Sequence, residues 1–272
     1  VNQIERPAVI IGKQHRRFDT TLLINGLPII QIEEKHNTHD VNEALNQMHQ
    51  YADESQYRDI FSTLQILVAI TPNNVKYMAN TTSDKFNKDF AFNWQRKKDN
   101  SVVRNWKEFA DSMLSIPMAH QMATNYMILD GTKNKQMLKV MRPYQVYATQ
   151  TVIEGLKRAD FELGSNKIGY IWHTTGSGKT LTSFKAAQIL TNLDTVHKVV
   201  FVVDRKDLDY QTMKEYDKFE KGAANSNTNT AVLKKQLDNP NAKIIITTIQ
   251  KLSILIKKQK NHAIYSKPVV FI

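Results

Sequence analysis

The sequence contains no cysteine among its 272 residues. This absence excludes disulfide bridges and thiolate zinc sites, and it is compatible with a reducing compartment. No apolar run approaches the roughly 18 residues that a membrane span requires. The first residues, Val1–Arg6, lack the basic start and apolar stretch of a secretion signal. We therefore expect a cytoplasmic protein with no membrane partner.

Acidic residues are scarce relative to basic ones, 26 against 37, which gives a formal net charge of +11. Such a balance suits a polyanionic partner, with nucleic acid the first candidate, although a basic protein without such a partner has the same charge. The apolar fraction of 41% is enough for real cores. The length suggests one large domain or two ordinary ones.

The first 75 or so residues predict short strands around one helix. Asn25-Gly26 is a strong hairpin signal between two apolar runs. A helix follows, entered through Thr38 or Asp40 as its N-cap. The predicted elements are strands Phe18–Ile24, Leu27–Lys35 and Leu64–Thr71 and the helix Val41–Tyr51.

Beyond about residue 140 strands alternate with helices, which predicts a parallel sheet covered on both faces. The polar stretch Asn225–Thr230 is predicted as a surface loop. We place one domain at residues 1–125, with 80–125 as its tail and connector, and a second at 126–272. The predicted elements are strands Ile168–Trp172, Lys198–Val203, Ile244–Thr248 and Val269–Ile272 and the helix Leu181–Leu190.

A phosphate-binding loop is predicted after the first of these strands. The pattern G-x-x-x-x-G-K-[ST] is completed by Gly178, Lys179 and Thr180, although His173 replaces its first glycine. Backbone N–H groups of such a loop cradle phosphate oxygens, the lysine reaches the terminal phosphates and the hydroxyl binds Mg²⁺. The predicted ATP-binding residues of the loop are Thr175, Gly176, Ser177, Gly178, Lys179 and Thr180.

The surroundings of the loop resemble those of superfamily 2 helicases. Gln145, in Arg142-Pro143-Tyr144-Gln145, has the spacing of their adenine-sensing glutamine. The segments Val202–Arg205 and Ile246–Gln250 fall where these motors place strand-end loops that touch the DNA backbone, although both are also compatible with plain buried strands.

Asp19, Glu33 and Lys35 have the types and order of a D…E-x-K metal-dependent nuclease core. Phosphodiester hydrolysis uses Mg²⁺, carboxylates are its natural ligands, and a lysine stabilises developing charge. A hairpin with one polar face would show similar residues, and Phe18 stands where the full motif has proline. Gln47 and Tyr51, four apart on one helix face, resemble the Q-x-x-x-Y motif of a nuclease subgroup.

The nuclease interpretation requires Asp19 on the face of Glu33. A plain two-residue turn would pair Asp19 with Ile32 and separate the carboxylates. We therefore predict a three-residue loop with Gly26 in the left-handed conformation, which pairs Asp19 with Gln31, or a bulge nearby.

Together these motifs resemble the restriction (R) subunit of type I restriction–modification enzymes. The resemblance implies an α/β chain, with a PD-(D/E)xK-type nuclease domain followed by a partial RecA-like parallel-sheet P-loop domain. Asp19, Glu33 and Lys35 inherit nuclease roles, with Asp19, Glu33 and Thr180 as metal ligands. The resemblance further implies Mg²⁺ and ATP as cofactors and translocation on double-stranded DNA. It also implies a bacterial or archaeal cytoplasmic protein that works with methyltransferase and specificity subunits.

The resemblance also predicts a fragment. In the family the chain starts earlier, and beyond Ile272 it continues into an Asp-Glu pair and a second motor lobe with arginine fingers. We therefore expect this chain to bind nucleotide at most. Two alternatives stay open, a helicase or remodeller fragment with a non-nuclease N-terminal domain and a non-catalytic DNA-binding module.

Overall fold

The computed structural model describes residues 1–132, 136–163, 167–204, 206–219, 222 and 224–272. The chain forms two compact units. The N-terminal unit comprises Val1–Leu129 and Met137–Tyr144, and the C-terminal unit comprises Asp130–Gln136 and Gln145–Ile272. The boundary between these compact units lies after residue 125. Compact units are not themselves a test of domains, so the predicted division at 125/126 stays a prediction.

The N-terminal unit is built on a five-stranded sheet in the order β1-β2-β3-β4-β5. The β3–β4 pair is parallel and the other neighbours are antiparallel. The predicted strands β2, β3 and β4 are present, and the helix α1 packs against this sheet. The bounds are β1 Asn2–Arg6, β2 Arg16–Ile24, β3 Leu27–Glu34, α1 Val41–Asp53, β4 Ile66–Thr71 and β5 Asn74–Ala79.

The β2–β3 hairpin has a two-residue turn, so the predicted three-residue loop is wrong. Asn25 and Gly26 have φ of 49° and 83°, and Ile24 pairs with Leu27. Left-handed conformations at both positions match the twist of the strands. The predicted bulge is present, because Leu22 pairs with Ile30 and Leu23 with Pro28, which leaves Ile29 as the extra residue.

The bulge determines which residues oppose Asp19. Beyond it the last pair of the β2–β3 ladder is Thr20 with Ile32, one residue short of Asp19 and Glu33. The predicted partner Gln31 instead pairs with Thr21, and the two side chains are hydrogen-bonded at 2.8 Å. The predicted pairing of Asp19 with Gln31 takes the extra residue from β2, whereas the observed bulge takes it from β3, so the two shift the register in opposite directions.

Helix α1 begins at the predicted N-cap Asp40, which forms a capping box with Glu43. The Asp40 side chain accepts a hydrogen bond from the Glu43 backbone N–H, and the Glu43 side chain accepts one from the Asp40 backbone N–H. Apolar residues recur every three or four positions and place one helix face in the core. That core comprises Phe18, Val41, Ala44, Leu45, Met48, Tyr51, Phe61, Leu64, Leu67, Ala69 and Met78.

The rest of the N-terminal unit is a series of short elements with buried aromatic anchors. Trp94 and Phe109 are fully buried, and the Tyr77 hydroxyl donates to the Met141 carbonyl oxygen at 2.9 Å. The elements are α2 Trp106–Phe109 with a π-helical turn Ala110–Leu114, α3 Met118–Thr124, β6 Met127–Asp130 and β7 Met137–Val140.

The C-terminal unit contains the predicted parallel sheet, in the order β11-β8-β10-β9. The central strands β8 and β10 are apolar because both faces are covered, one core lying on each side. The bounds are α4 Pro143–Arg158, α5 Lys179–Leu190, β8 Lys198–Val203, α6 Lys206–Phe219, β9 Ala224–Ser226, α7 Thr230–Asp238, β10 Ile244–Thr248, α8 Ile249–Lys258 and β11 Val269–Phe271.

Two predictions fail in this unit. Ile168–Trp172 is not a strand, and Tyr170 and Trp172 are 90% and 86% exposed. A buried parallel strand needs neighbours on both sides, and no described strand lies beside this segment. The polar stretch Asn225–Thr230 is not a plain surface loop, because it begins in β9 and its Asn227 is buried. No helix in the described part of the chain is long and apolar enough to cross a membrane.

Candidate functional site

Asp19, Glu33 and Lys35 are brought together at the end of the β2–β3 ladder. The Lys35 Nζ lies 3.2 Å from Glu33 Oε1, and Asp19 Oδ2 accepts a hydrogen bond of 2.9 Å from the Glu34 N–H. The Asp19 carboxyl group lies close enough to Glu33 to raise the pKa of Glu33, both through its charge and through a side-chain contact. The three predicted nuclease residues therefore form one cluster.

Glu33 is the most perturbed member of the cluster. Its side chain is fully buried, and its Oε2 atom has no hydrogen-bond partner. Burial raises the pKa of Glu33 from 4.5 to about 8, and the negative charge of Asp19 adds to the shift, while Lys35 opposes it. A buried carboxylate oxygen without a donor is costly, which suits an atom that awaits a cation.

Gln47 and Tyr51 extend the cluster from α1. The Tyr51 hydroxyl lies 3.3 Å from Glu33 Oε1 and 3.1 Å from the Arg17 carbonyl oxygen, and it can donate its proton to either. The Gln47 amide donates to the Tyr51 oxygen. Burial, followed by the charge of Glu33, raises the pKa of Tyr51, so this residue acts as a neutral donor. The two motif residues are thus linked in series to the carboxylate.

The cluster has the donor chemistry for a hard divalent cation. Its carboxylates supply oxygen ligands, and the orphaned Glu33 Oε2 is one of them. In the described residues no group of three or more histidine, cysteine or acidic side chains is arranged for a metal. A cation held here would therefore complete its shell with water or phosphate oxygens, as Mg²⁺ commonly does.

The predicted phosphate loop leads into α5. Gly176 and Gly178 have φ of 76° and 81°, and Gly178 is the N-cap of the helix. This left-handed backbone is typical of glycine and turns the chain into the helix. The Lys179 Nζ lies 3.0 Å from the Thr174 carbonyl oxygen, so the amine rests on the carbonyls of its own loop. Thr175 is exposed, and Thr180 lies half-buried in the first turn of α5.

Gln145 contacts the phosphate loop directly. It is buried in α4, and its Nε2 donates to the Ser177 carbonyl oxygen at 3.0 Å. The loop passes so close that a Cβ at Gly178 would lie 2.4 Å from the same Nε2. Sequence reasoning assigned Gln145 to the adenine and gave no sign of this loop contact.

The segment Ile246–Gln250 does not expose the hydroxyl groups that a contact with the DNA backbone would use. Thr247 and Thr248 are fully buried, and the Thr247 hydroxyl donates to Asn227 at 2.9 Å. Thr248 accepts a hydrogen bond from the Lys251 N–H as the N-cap of α8. These hydroxyls are therefore used within the fold. In the other segment Arg205 lies outside the described residues.

One residue near the cluster of Asp19, Glu33 and Lys35 was missed by the sequence analysis. Ala69 pairs with Glu33 on one side and with Lys76 on the other, so Lys76 lies two strands from Glu33 on the same sheet face. Its Nζ donates to the Asn42 amide oxygen at 3.2 Å. No sequence signal could have placed it there, because the placement depends on the parallel pairing of β3 with β4.

Comparisons with known proteins match both units. A family described as "Type I restriction enzyme R protein N terminus" matches residues 1–86, and one described as "SWI2/SNF2 ATPase" matches residues 144–272. The C-terminal part of the type I restriction enzyme MpnIIP endonuclease subunit of Mycoplasma pneumoniae is 46% identical over 144 residues, covering 50% of this chain and 70% of that protein. This chain belongs to the family of type I restriction enzyme endonuclease subunits.

A longer family member extends the match along most of the chain. The type I restriction enzyme SsaAORF53P endonuclease subunit of Staphylococcus saprophyticus is 44% identical over 251 residues, which are 92% of this chain and 26% of that protein. The chain thus spans about a quarter of this relative. A nuclease-deletion mutant of the Type ISP restriction-modification enzyme LlaGI, solved with a DNA substrate mimic, gives a TM-score of 0.36 at 16% identity, covering 49% of this chain and 17% of that one. That likeness carries no argument.

Proposed function

We propose that the chain supplies the DNA-cutting site and the ATP-binding loop of a type I restriction endonuclease, an ATP-dependent site-specific deoxyribonuclease that translocates on double-stranded DNA. The observation that carries the proposal is the meeting of Asp19, Glu33 and Lys35, with Glu33 Oε2 buried and unpartnered. A polar hairpin with only a structural role would satisfy that oxygen within the fold.

In the nuclease unit Asp19 and Glu33 would hold Mg²⁺, with the arrangement of a PD-(D/E)xK-type site. Bound Mg²⁺ supplies a polarised water and neutralises charge that develops on the phosphate. Lys35 lies beside Glu33, where its amine can stabilise a phosphate oxygen. Tyr51, oriented by Gln47, fixes the rotamer of Glu33 through a donated hydrogen bond.

In the C-terminal unit the partial RecA-like fold would hold ATP on the loop from Thr175 to Thr180. The left-handed glycines and the start of α5 direct backbone N–H groups toward an anion. Lys179 would exchange its two loop carbonyls for phosphate oxygens, and Thr180 would hold the nucleotide's Mg²⁺. Gln145 would serve the adenine while its loop contact keeps Ser177 in place.

The setting of this activity is also proposed. As a type I subunit, the protein would act in the cytoplasm with modification and specificity subunits, the latter supplying the DNA recognition sequence. The charge of +11 favours a polyanionic substrate such as double-stranded DNA.

The test uses the complete endonuclease subunit assembled with its partners. Asp19→Ala and Glu33→Ala should each lower DNA cutting to background, while ATP hydrolysis and translocation survive. Lys35→Ala should also abolish cutting but weaken Mg²⁺ binding less. Glu34→Ala is the matched control, since the Glu34 side chain is exposed next to the site, and it should cut normally. Loss of ATP hydrolysis together with cutting would mean that these carboxylates only support folding.

The same assays separate the two alternatives. A helicase or remodeller with a non-nuclease N-terminal domain would hydrolyse ATP on DNA and never cut it. A non-catalytic DNA-binding module would bind DNA without either activity. Either result with the unmutated protein would overturn the proposal.

A further inference from the structure

Two lysines lie along one side of α1, next to the nuclease cluster. Lys76 donates to the Asn42 amide oxygen at 3.2 Å, and Lys88 donates to the Asn46 amide oxygen at 2.9 Å. The asparagines are four positions apart, so both amide–lysine pairs project from one helix side, about 6 Å apart along the axis. We call these two pairs the lysine track.

The lysine track lies on the same sheet face as the proposed catalytic carboxylate. Glu33 pairs with Ala69 of β4, and Ala69 pairs with Lys76 of β5. Directly paired residues share a face, and neighbouring strands are about 4.8 Å apart. The backbone of Lys76 is therefore about 10 Å from that of Glu33, within the span of a few nucleotides of a bound strand.

The charges of the track are not neutralised by the fold. Among the described residues neither Lys76 nor Lys88 forms an ion pair, and each amine is held by a neutral amide instead. The acidic side chains at the start of α1 are engaged elsewhere, Asp40 with the Asn42 N–H and Glu43 with His39. A carboxylate partner would make a stronger bond to the ammonium group and would neutralise its charge. An amide orients the ammonium group and leaves its charge available to an anion.

We propose that the lysine track holds the DNA backbone beside the nuclease site, with Lys76 and Lys88 each contacting a phosphate and with Asn42 and Asn46 orienting the amines. This inference rests on the proposed nuclease function and names the substrate contact of that site. Backbone contacts of this kind fix the position of a duplex without reading its sequence. The two lysines are positioning residues, and the cutting chemistry stays with Asp19, Glu33 and Lys35.

The experiment measures the salt dependence of DNA binding by the complete subunit. All proteins carry Asp19→Ala, which prevents cutting, and a fluorescent duplex is titrated at several salt concentrations. Each neutralised phosphate contributes a slope of about −0.9 in a log–log plot of affinity against salt. Lys76→Gln and Lys88→Gln should each reduce the slope by about 1, and the double variant by about 2. Lys76→Arg keeps the positive charge and should keep the slope of the unchanged track. Lys98→Gln, at an exposed lysine that is not part of the track, should leave it unchanged.

Cutting by proteins with intact Asp19 separates the two hypotheses. Lys76→Gln should raise the KM for DNA several-fold with little change in kcat. Slopes for the track variants equal to that of Lys98→Gln would overturn the lysine track while leaving the nuclease proposal standing. Normal cutting by Asp19→Ala would instead overturn the nuclease proposal. A Lys76→Gln protein that unfolds at the wild-type temperature and keeps the full slope rules out the phosphate contact.

Discussion

The two units contain sites that depend on their sheets in different ways. In the N-terminal unit the proposed nuclease site is formed by β2, β3 and α1, which lie within about 40 residues of one another. The two strands are paired as a hairpin, and α1 packs against the sheet. In the C-terminal unit the phosphate loop follows Ile168–Trp172, which is not in the sheet. Among the described contacts, the loop is joined to α5 and is held by the Gln145 amide and by the Lys179 amine.

This difference separates a site that is built from elements close in sequence from one that depends on strands distant in sequence. A hairpin and the helix that follows it are close in sequence, so the relative placement of their polar side chains depends largely on short-range pairing. A strand in the middle of a parallel sheet is fixed only by neighbours distant in sequence. We therefore expect the nuclease cluster to be preformed in this chain and the phosphate loop to be preformed only in part.

The largest effect should appear in ATP turnover. The Lys179 amine is hydrogen-bonded to the carbonyl oxygens of its own loop. Hydrolysis also needs a carboxylate that positions Mg²⁺ and water and an arginine finger opposite the γ-phosphate, and neither is among the residues that we assign to the ATP site. Loss of an arginine finger alone costs about 10³–10⁵ in rate. Phosphate release by this chain should thus be at background, while a fluorescent ATP analogue still binds weakly. Turnover above background that disappears in Lys179→Ala would contradict this expectation.

A smaller effect should appear in the pH dependence of stability without metal. The folded-state pKa of Glu33 is about 8, above its ordinary 4.5. Its stabilising contribution is therefore fully present below pH 4.5 and is lost as pH rises through about 8. In the Glu33→Gln variant this decline should be flatter, and at about pH 9 with a chelator present the variant should melt at a higher temperature than the wild type. Each kcal/mol gained in the free energy of unfolding should raise the melting temperature by about 2–4 °C.

The control for this melting experiment is Glu34→Gln, because Glu34 is the exposed neighbour on the same strand. It should follow the wild-type pH profile. A Glu33→Gln protein that is less stable than wild type at high pH would show that the ionised carboxylate is satisfied within the fold, which would remove the argument for a cation.

The smallest effect should distinguish the two glycines of the phosphate loop. Alanine is strained at both, by about 1–2 kcal/mol. At Gly178 the new methyl group would also displace the Gln145 amide, whereas at Gly176 nothing lies within 4 Å. Gly178→Ala should therefore weaken nucleotide binding by about 1 kcal/mol more than Gly176→Ala does, which is the contribution of about one hydrogen bond. In a Gln145→Ala background the two variants should be equal, and a persistent difference would mean that the Gln145 contact is unimportant.

Much of the fold followed from the sequence, because alternation and capping act locally. The bounds of β8 and β10 agree with the prediction, and Asp40 is the helix cap as its position before the apolar face indicated. The hairpin was predicted, but whether the extra residue lay in the turn or in β3 depends on contacts of Ile29, whose carbonyl oxygen accepts from the Gln65 N–H at 2.9 Å. Gln65 immediately precedes β4, which is distant from the hairpin in sequence.

The failures have the same origin in distant contacts. Asn227 was predicted in a surface loop, yet its amide donates to the Ile246 carbonyl oxygen at 2.9 Å and is buried as a result. A polar residue can enter a core when the fold provides its partners. Lys76 joined the candidate site only through the order of β3, β4 and β5, which no local pattern specifies.

The central claim is that Asp19 and Glu33 form a divalent-cation site, and titration calorimetry of this chain with Mg²⁺ or Mn²⁺ in the absence of nucleotide tests it most directly. Nucleotide is left out so that Thr180 does not contribute. The account predicts binding that tightens as pH rises toward about 8, that is lost in Asp19→Ala and in Glu33→Gln, and that persists in Lys35→Ala and Glu34→Gln. Cation binding that both carboxylate variants leave unchanged, or no binding by the wild-type chain at any pH up to about 9, would contradict it.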